Sequence, residues 1–166
     1  MTDTYDRRVQ LGASRRRLED AQTLHQQKRW SGAMYLGGYA IECSLKSLVC
    51  YEERKNNLKD TQKLKNGLQA AELHNLARLL ACVPSIENAI KRANKTDRTN
   101  GYIDAWNRVS SVWRNDELRY SDKLGNEQES QRFIDSVHKL HRLLLDKQGE
   151  TSEGILLHYL NKFTLI

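Results

Sequence analysis

The residues best suited to chemistry lie in one stretch, WNRVSSVWRNDELRYSD, from Trp106 to Asp122. Read as a helix, it carries two strips. Trp106, Val109, Trp113 and Tyr120 recur at spacings of three, four and seven and predict a core face. Arg108, Ser111, Asn115 and Arg119 recur at the same spacings beside them, with Arg114 on the flank. Guanidinium forks next to an amide and a hydroxyl are the groups that hold a phosphate, through planar charge-assisted hydrogen bonds. The same strip also reads as a solvated basic face whose arginines pair with Asp104, Asp116 or Glu117.

Other chemistry-bearing residues are scattered. Glu42 stands four residues before Lys46, the favourable order for an ion pair on one helix. It reads either as that pair, or as a base or a group that orients Arg114. His74 sits at a predicted helix start, where a cap or core contact competes with a reach into the site. His138 and His141 are three apart, with no cysteine or third ligand nearby, so no metal site is expected. Cys43, Cys50 and Cys82 are too few and too scattered for a disulfide framework and predict free thiols in a reducing compartment.

The elements that must position these residues are helices. Apolar residues recur at three- and four-residue spacing, no alternating β-branched run occurs, and the only proline is Pro84. A first helix is predicted over roughly Tyr5 to Gln27, with Leu11, Leu18, Ala21 and Leu24 or His25 inward. Ser31 is the expected cap of a second helix reaching about Glu53, with the stripe Ala33, Gly37, Ala40, Ile41, Ser44, Leu45, Leu48 and Val49. Gly37 and Gly38 each cost about 1 kcal/mol against alanine in a helix, which implies a close approach by another element.

RKNNLKDTQKLKNG reads as a mobile polar loop, and AAELHNLARLLACV as a third helix that stops before Pro84. Pro84 then opens a short helix at SIENAIKRAN. A last helix, ESQRFIDSVHKLHRLLLDKQ, turns Phe133, Ile134, Val137, Leu140, Leu144 and Leu145 inward. The expected architecture is an all-α antiparallel helical bundle over residues 1–149. Residues 150–166 form an apolar tail (Ile155, Leu156, Leu157, Tyr159, Leu160 and Phe163) that packs back or docks on another chain.

Length and charge bound the function. The 166 residues suit one domain, and 27 basic against 21 acidic residues leave a formal charge of +6. That balance suits an anionic partner such as RNA, DNA or nucleotides. MTDTYDRRVQ lacks the apolar core of a signal peptide, and Glu42 and Lys46 interrupt the most apolar run. No membrane span and a cytoplasmic location are therefore expected.

GAMYLGGYAIECSLKSLV, then ELHNLARLL, then WRNDELRYSD resembles the HEPN domain (higher eukaryotes and prokaryotes nucleotide-binding domain) over roughly Arg15 to Asp146. The resemblance implies a helical bundle that commonly forms homodimers. It also implies metal-independent RNase activity, or binding of RNA, nucleotides or proteins, in toxin–antitoxin and antiphage defence systems. A nucleotidyltransferase-type antitoxin or a defence protein is the partner it suggests, and no cofactor is implied. The RNase motif of that family is an arginine, usually a polar residue, and a histidine after four to six residues. Arg114 and Asn115 match its start. The histidine position falls on Arg119, with Tyr120 and Ser121 at the longer spacings.

The missing histidine has a chemical consequence. Arginine stays protonated and cannot be a base. A phenol such as that of Tyr120 titrates at about 10 and is a poor one. Loss of general acid–base help costs roughly 10²–10⁴ in rate. The expectation is a protein that binds RNA or a nucleotide phosphate through Arg114, Asn115 and Arg119, with Arg108 and Tyr120 beside them. The alternatives are a divergent endoribonuclease using Glu42, Arg114 and Arg119, or an interaction adaptor without enzymatic activity.

Overall fold

The computed structural model describes residues 3–68, 72–96, 101–113, 118 and 125–150. No β-strand forms among them, and a single isolated antiparallel bridge joins Asp6 to Asn57. The chain is all-α over these residues.

Helix α1 (Arg7–Gln26) starts where the Asp6 carboxylate accepts from the backbone N–H groups of Arg8 and Val9, at 2.8 and 3.0 Å. Two donors that a helix start leaves unpaired are thereby satisfied. It ends on Lys28, a left-handed residue with φ +61° that is not glycine. The turn is held by Lys28 N–H to the His25 carbonyl and Arg29 N–H to the Leu24 carbonyl. Helix α2 (Trp30–Glu52) begins at once and ends in the same way, on Arg54 at φ +54°. Ser31 is therefore not the cap expected of it. Arg29 takes the capping position without a side-chain cap bond, because the tight turn already delivers the chain into the next helix.

The lysine- and asparagine-rich segment after α2 is folded, contrary to the expected loop. A 3₁₀ turn (Leu58–Asp60) and a short helix α3 (Gln62–Lys65) occupy it. Asn57 and Thr61 cap these turns, and the Glu53 carboxylate accepts from the backbone N–H groups of Gln62 and Lys63. Leu58 and Thr61 are buried beneath it. Likewise the expected third helix divides. A 3₁₀ turn (Glu72–His74) precedes α4 (Leu76–Ala81), which Asn75 caps by accepting from Arg78 N–H.

Pro84 opens α5 (Pro84–Thr96), where its missing N–H is no loss. Helix α6 (Tyr102–Val112) is shorter than the stretch Trp106–Asp122 suggests: Trp113 is extended, with ψ +95°. Helix α7 (Glu127–Lys147), capped by Asn126, closes the described chain.

Packing follows from the stripes. Every residue of the expected α2 stripe is buried, as are all six inward residues expected of α7. Fully burying such a leucine, isoleucine or phenylalanine contributes about 1.5–3 kcal/mol. Helix α1 pairs antiparallel with α2, with Leu24 against Gly32 at one end and Arg7 over the Tyr51 ring at the other. Helix α7 is antiparallel to α1, since Ser14 meets His141 and His25 meets Ser130. It is consequently parallel to α2, where Phe133 lies on Gly37 and Gln148 bonds Ser47. The bundle is thus antiparallel in two of its three main pairings.

Candidate functional site

Two loci gather chemistry-bearing side chains. The first is one face of α2, built from Tyr35, Gly38, Tyr39, Glu42 and Lys46 at spacings of three and four. Gly38 is its seat. A Cβ placed there would lie 1.9 Å from Cδ1 of Trp113, so only glycine lets the indole ring lie flush on the helix. The ring is 3% exposed, and its Nε1–H donates to the Tyr35 carbonyl at 2.9 Å. Tyr39 meets it edge-on at 5.4 Å, and Tyr35 meets Tyr39 edge-on at 5.0 Å. Such aromatic pairs add about 0.5–1.5 kcal/mol beyond their area. This contact, rather than any local stop signal, ends α6 at Val112, one residue before Trp113.

One turn further along α2, about 6 Å by helical rise, Glu42 is 2% exposed. Its Oε1 accepts from Lys46 Nζ at 2.6 Å. His74 Nδ1 approaches both carboxylate oxygens, at 3.1 and 3.2 Å. Lys46 is itself nearly buried, so carboxylate and ammonium neutralise each other inside the protein. His74 closes the cluster from the 3₁₀ turn, with 46% of its side chain exposed. An ionised carboxylate only accepts hydrogen bonds, so the Nδ1 that faces it carries the proton. In the neutral ring Nε2 then holds the lone pair. Among the described residues no partner engages Nε2.

The second locus lies between α6 and α7. Arg108, Arg132, Asn126, Gln128, Glu129 and Phe133 border a cavity of about 260 Å³. Arg108 donates to Ser136 Oγ at 3.1 Å, which aims its guanidinium at α7. The two arginines and two amides suit an anionic group, and Glu129 tempers the charge. Ser111, expected on the same strip as Arg108, is exposed, and its hydroxyl donates to the Arg108 carbonyl at 3.2 Å.

The remaining expectations divide. Trp106 packs against the core, and Val109 and Trp113 are buried in it. Arg114, Asn115, Arg119 and Tyr120, and the tail from residue 151 onward, lie outside the described residues. His138 and His141 face α1, bonded to Gln22 at 2.6 Å and Ser14 at 3.2 Å. Burial lowers the His138 pKa and pushes that of His141 down to about 4. The three cysteines are free thiols, and burial lifts Cys43 to about 11 and Cys50 to about 12. Among the described residues no group of three or more histidine, cysteine or acidic side chains could hold a metal ion. No helix there is long and apolar enough to cross a membrane.

The close approach expected at Gly37 and Gly38 comes from within the chain, by Phe133, Val137 and Ile134 and by Trp113. Tyr35, Tyr39 and Arg132 were not singled out from the sequence. The two tyrosines share the spacing of Glu42, a signal that reads as ordinary amphipathicity until Trp113 is seen against them.

No family model, no curated protein and no solved structure matches this chain.

Proposed function

We propose that this chain binds RNA or a nucleotide phosphate, through Arg108 and Arg132 together with Arg114, Asn115, Arg119 and Tyr120. The observation that carries the reading is the convergence of two guanidiniums and two amides on one cavity between α6 and α7. Arginine forks and neutral donors suit phosphate oxygens, and a formal charge of +6 favours the encounter. The resemblance to the HEPN family extends the proposal to a homodimer in a prokaryotic toxin–antitoxin or antiphage defence setting. A nucleotidyltransferase-type antitoxin is then a fitting partner.

Glu42 is poorly placed to act as a base on a substrate. It is 2% exposed, and both its oxygens already face Lys46 or His74. The endoribonuclease reading in which Glu42 takes the proton directly is therefore the weaker one.

The test is the salt dependence of single-stranded RNA binding, followed by fluorescence anisotropy. Arg108→Ala, Arg114→Ala and Arg119→Ala should each weaken binding and flatten the slope of log affinity against log salt by about one unit per lost phosphate contact. Variants that bind like the parent at matched salt would reduce these arginines to a solvated face. Binding only to a protein partner, insensitive to salt, would favour an adaptor.

A further inference from the structure

We propose that the cavity between α6 and α7 takes the terminal phosphomonoester of a ribose, in preference to the phosphodiesters along a strand. Its source is the phosphate-bearing end of an RNA or a free nucleoside monophosphate. The inference rests on the phosphate-binding reading above and names the ligand of that same site.

The balance of donors and acceptors carries it. Arg108 and Arg132 both border the cavity, and among the described residues neither takes part in a salt bridge. Arg108 commits one N–H, to Ser136 Oγ at 3.1 Å. Ser136 donates its own hydroxyl proton to the Arg132 carbonyl at 2.8 Å, so a lone pair is left for Arg108. The Arg108 fork is thus held before any ligand arrives. Asn126 Oδ1 is occupied as the cap of α7, accepting from Glu129 N–H at 2.8 Å, which leaves the Nδ2 donor for a ligand. Gln128 brings a second amide to the same border.

Two guanidinium forks and two amides ask for many acceptor sites. A phosphodiester within a strand offers two unesterified oxygens and one negative charge. A terminal phosphate offers three oxygens and most of a second charge. The terminal group therefore uses donors that a diester would leave idle. Size points the same way. The cavity of about 260 Å³ is smaller than the roughly 300 Å³ at which pockets for drug-sized ligands begin. It has room for one phosphorylated sugar rather than a length of strand. Among the described residues Glu129 is the only carboxylate at the border. An ionised carboxylate repels phosphate and only accepts hydrogen bonds, so its fitting partner is a ribose hydroxyl.

The full-length protein is titrated with one short single-stranded RNA, labelled at an internal base. The RNA carries a 5′-phosphate, a 3′-phosphate, or hydroxyls at both ends. At least one phosphorylated form should bind about tenfold more tightly than the hydroxyl form, as charge-assisted hydrogen bonds allow. Arg132→Lys keeps the charge but not the fork, and both it and Arg132→Ala should bring that ratio to within about twofold. Glu129→Ala should erase a preference for ribose over 2′-deoxyribose at the phosphorylated end. Arg132 and Glu129 are exposed, so these variants should fold as the parent does. AMP that displaces the phosphorylated RNA, where adenosine does not, assigns the cavity to free nucleotides as well. A phosphate preference with no displacement by AMP assigns it to RNA ends. Equal affinity for all three RNAs, with no competition by AMP, overturns the inference and leaves RNA binding intact. A phosphate preference that survives in the Arg132 variants moves the site out of this cavity and overturns it too. A parent that binds neither RNA nor AMP overturns the phosphate-binding reading itself.

Discussion

Glu42 and Lys46 close an ion pair of 2.6 Å inside the protein, one turn apart on α2, with neither side chain more than 10% exposed. Desolvating two charges is costly, and their attraction offsets that cost only while both are present. Lys46→Met alone should therefore destabilise the fold by about 3 kcal/mol, because it leaves a buried carboxylate with only the half-exposed His74 beside it. The double variant Glu42→Leu/Lys46→Met should recover much of that loss. Urea denaturation of the singles and the double measures the coupling. Additive losses would mean that the pair contributes nothing through mutual charge.

Gly38 and Gly37 are neighbours with different tolerances. Alanine at Gly38 places its methyl carbon 1.9 Å from the Trp113 ring, whereas at Gly37 the nearest atom is 3.2 Å away. Gly38→Ala should cost about 3 kcal/mol or more, since the indole must leave its seat. Gly37→Ala gains about 1 kcal/mol of helix propensity against mild crowding and should stay within about 1 kcal/mol of the parent. Tryptophan fluorescence during denaturation reports both effects. Equal stability of the two variants would refute the Trp113 seat.

Acid should weaken the fold through the α1–α7 seam. His141 is pushed down to about 4 from an ordinary 6.5 by burial first, then by His138 and Arg15. The unfolded chain binds more protons than the folded one between those values. Stability from this residue is thus fully present above about 6.5 and is lost as pH falls toward 4, by something on the order of 3 kcal/mol. His138 is lowered too and works in the same direction. His141→Gln, which can still meet Ser14 but does not titrate, should flatten the decline. A variant as acid-sensitive as the parent would place the linkage elsewhere.

A shared phosphate groove in a homodimer would set Arg114 and Arg119 of one protomer against those of the other. Two such charges about 8 Å apart near a surface repel by roughly 2 kcal/mol. Burial of about 1,600 Å² is ordinary for a stable interface and can offset this, and a polyanion would relieve it. Sedimentation should show a dimer at micromolar concentration whose dissociation constant falls when RNA is added. A monomer at tens of micromolar, with and without RNA, would exclude the shared groove.

The sequence disclosed the helices and their inward faces well, because three- and four-residue spacing is a local signal. The α2 stripe that runs from Ala33 to Val49 and the six inward residues of α7 from Phe133 to Leu145 are buried as their spacing implies. What it concealed was set by contacts far along the chain. Nothing near Trp113 breaks a helix; Gly38, 75 positions earlier, draws the indole out of helical geometry. The polar segment after α2 looked like a loop because its caps include Glu53, nine and ten residues from the amides it binds. The contact of His74 with Glu42 was equally hidden, since 32 positions of chain separate the two.

Gln148, just past the end of α7, reaches Ser47 on α2 at 2.7 Å and Arg7 on α1 at 3.5 Å, across 101 and 141 positions of chain. Helices α1 and α2, by contrast, are separated by three residues. Such a layout implies an order of assembly. The hairpin of α1 and α2 can form with almost no closure entropy, while α7 must be brought home over a long excursion. Ala21→Gly, inside the hairpin, should then slow folding in stopped-flow experiments. Gln148→Ala, at the latch, should leave folding almost unchanged and hasten unfolding.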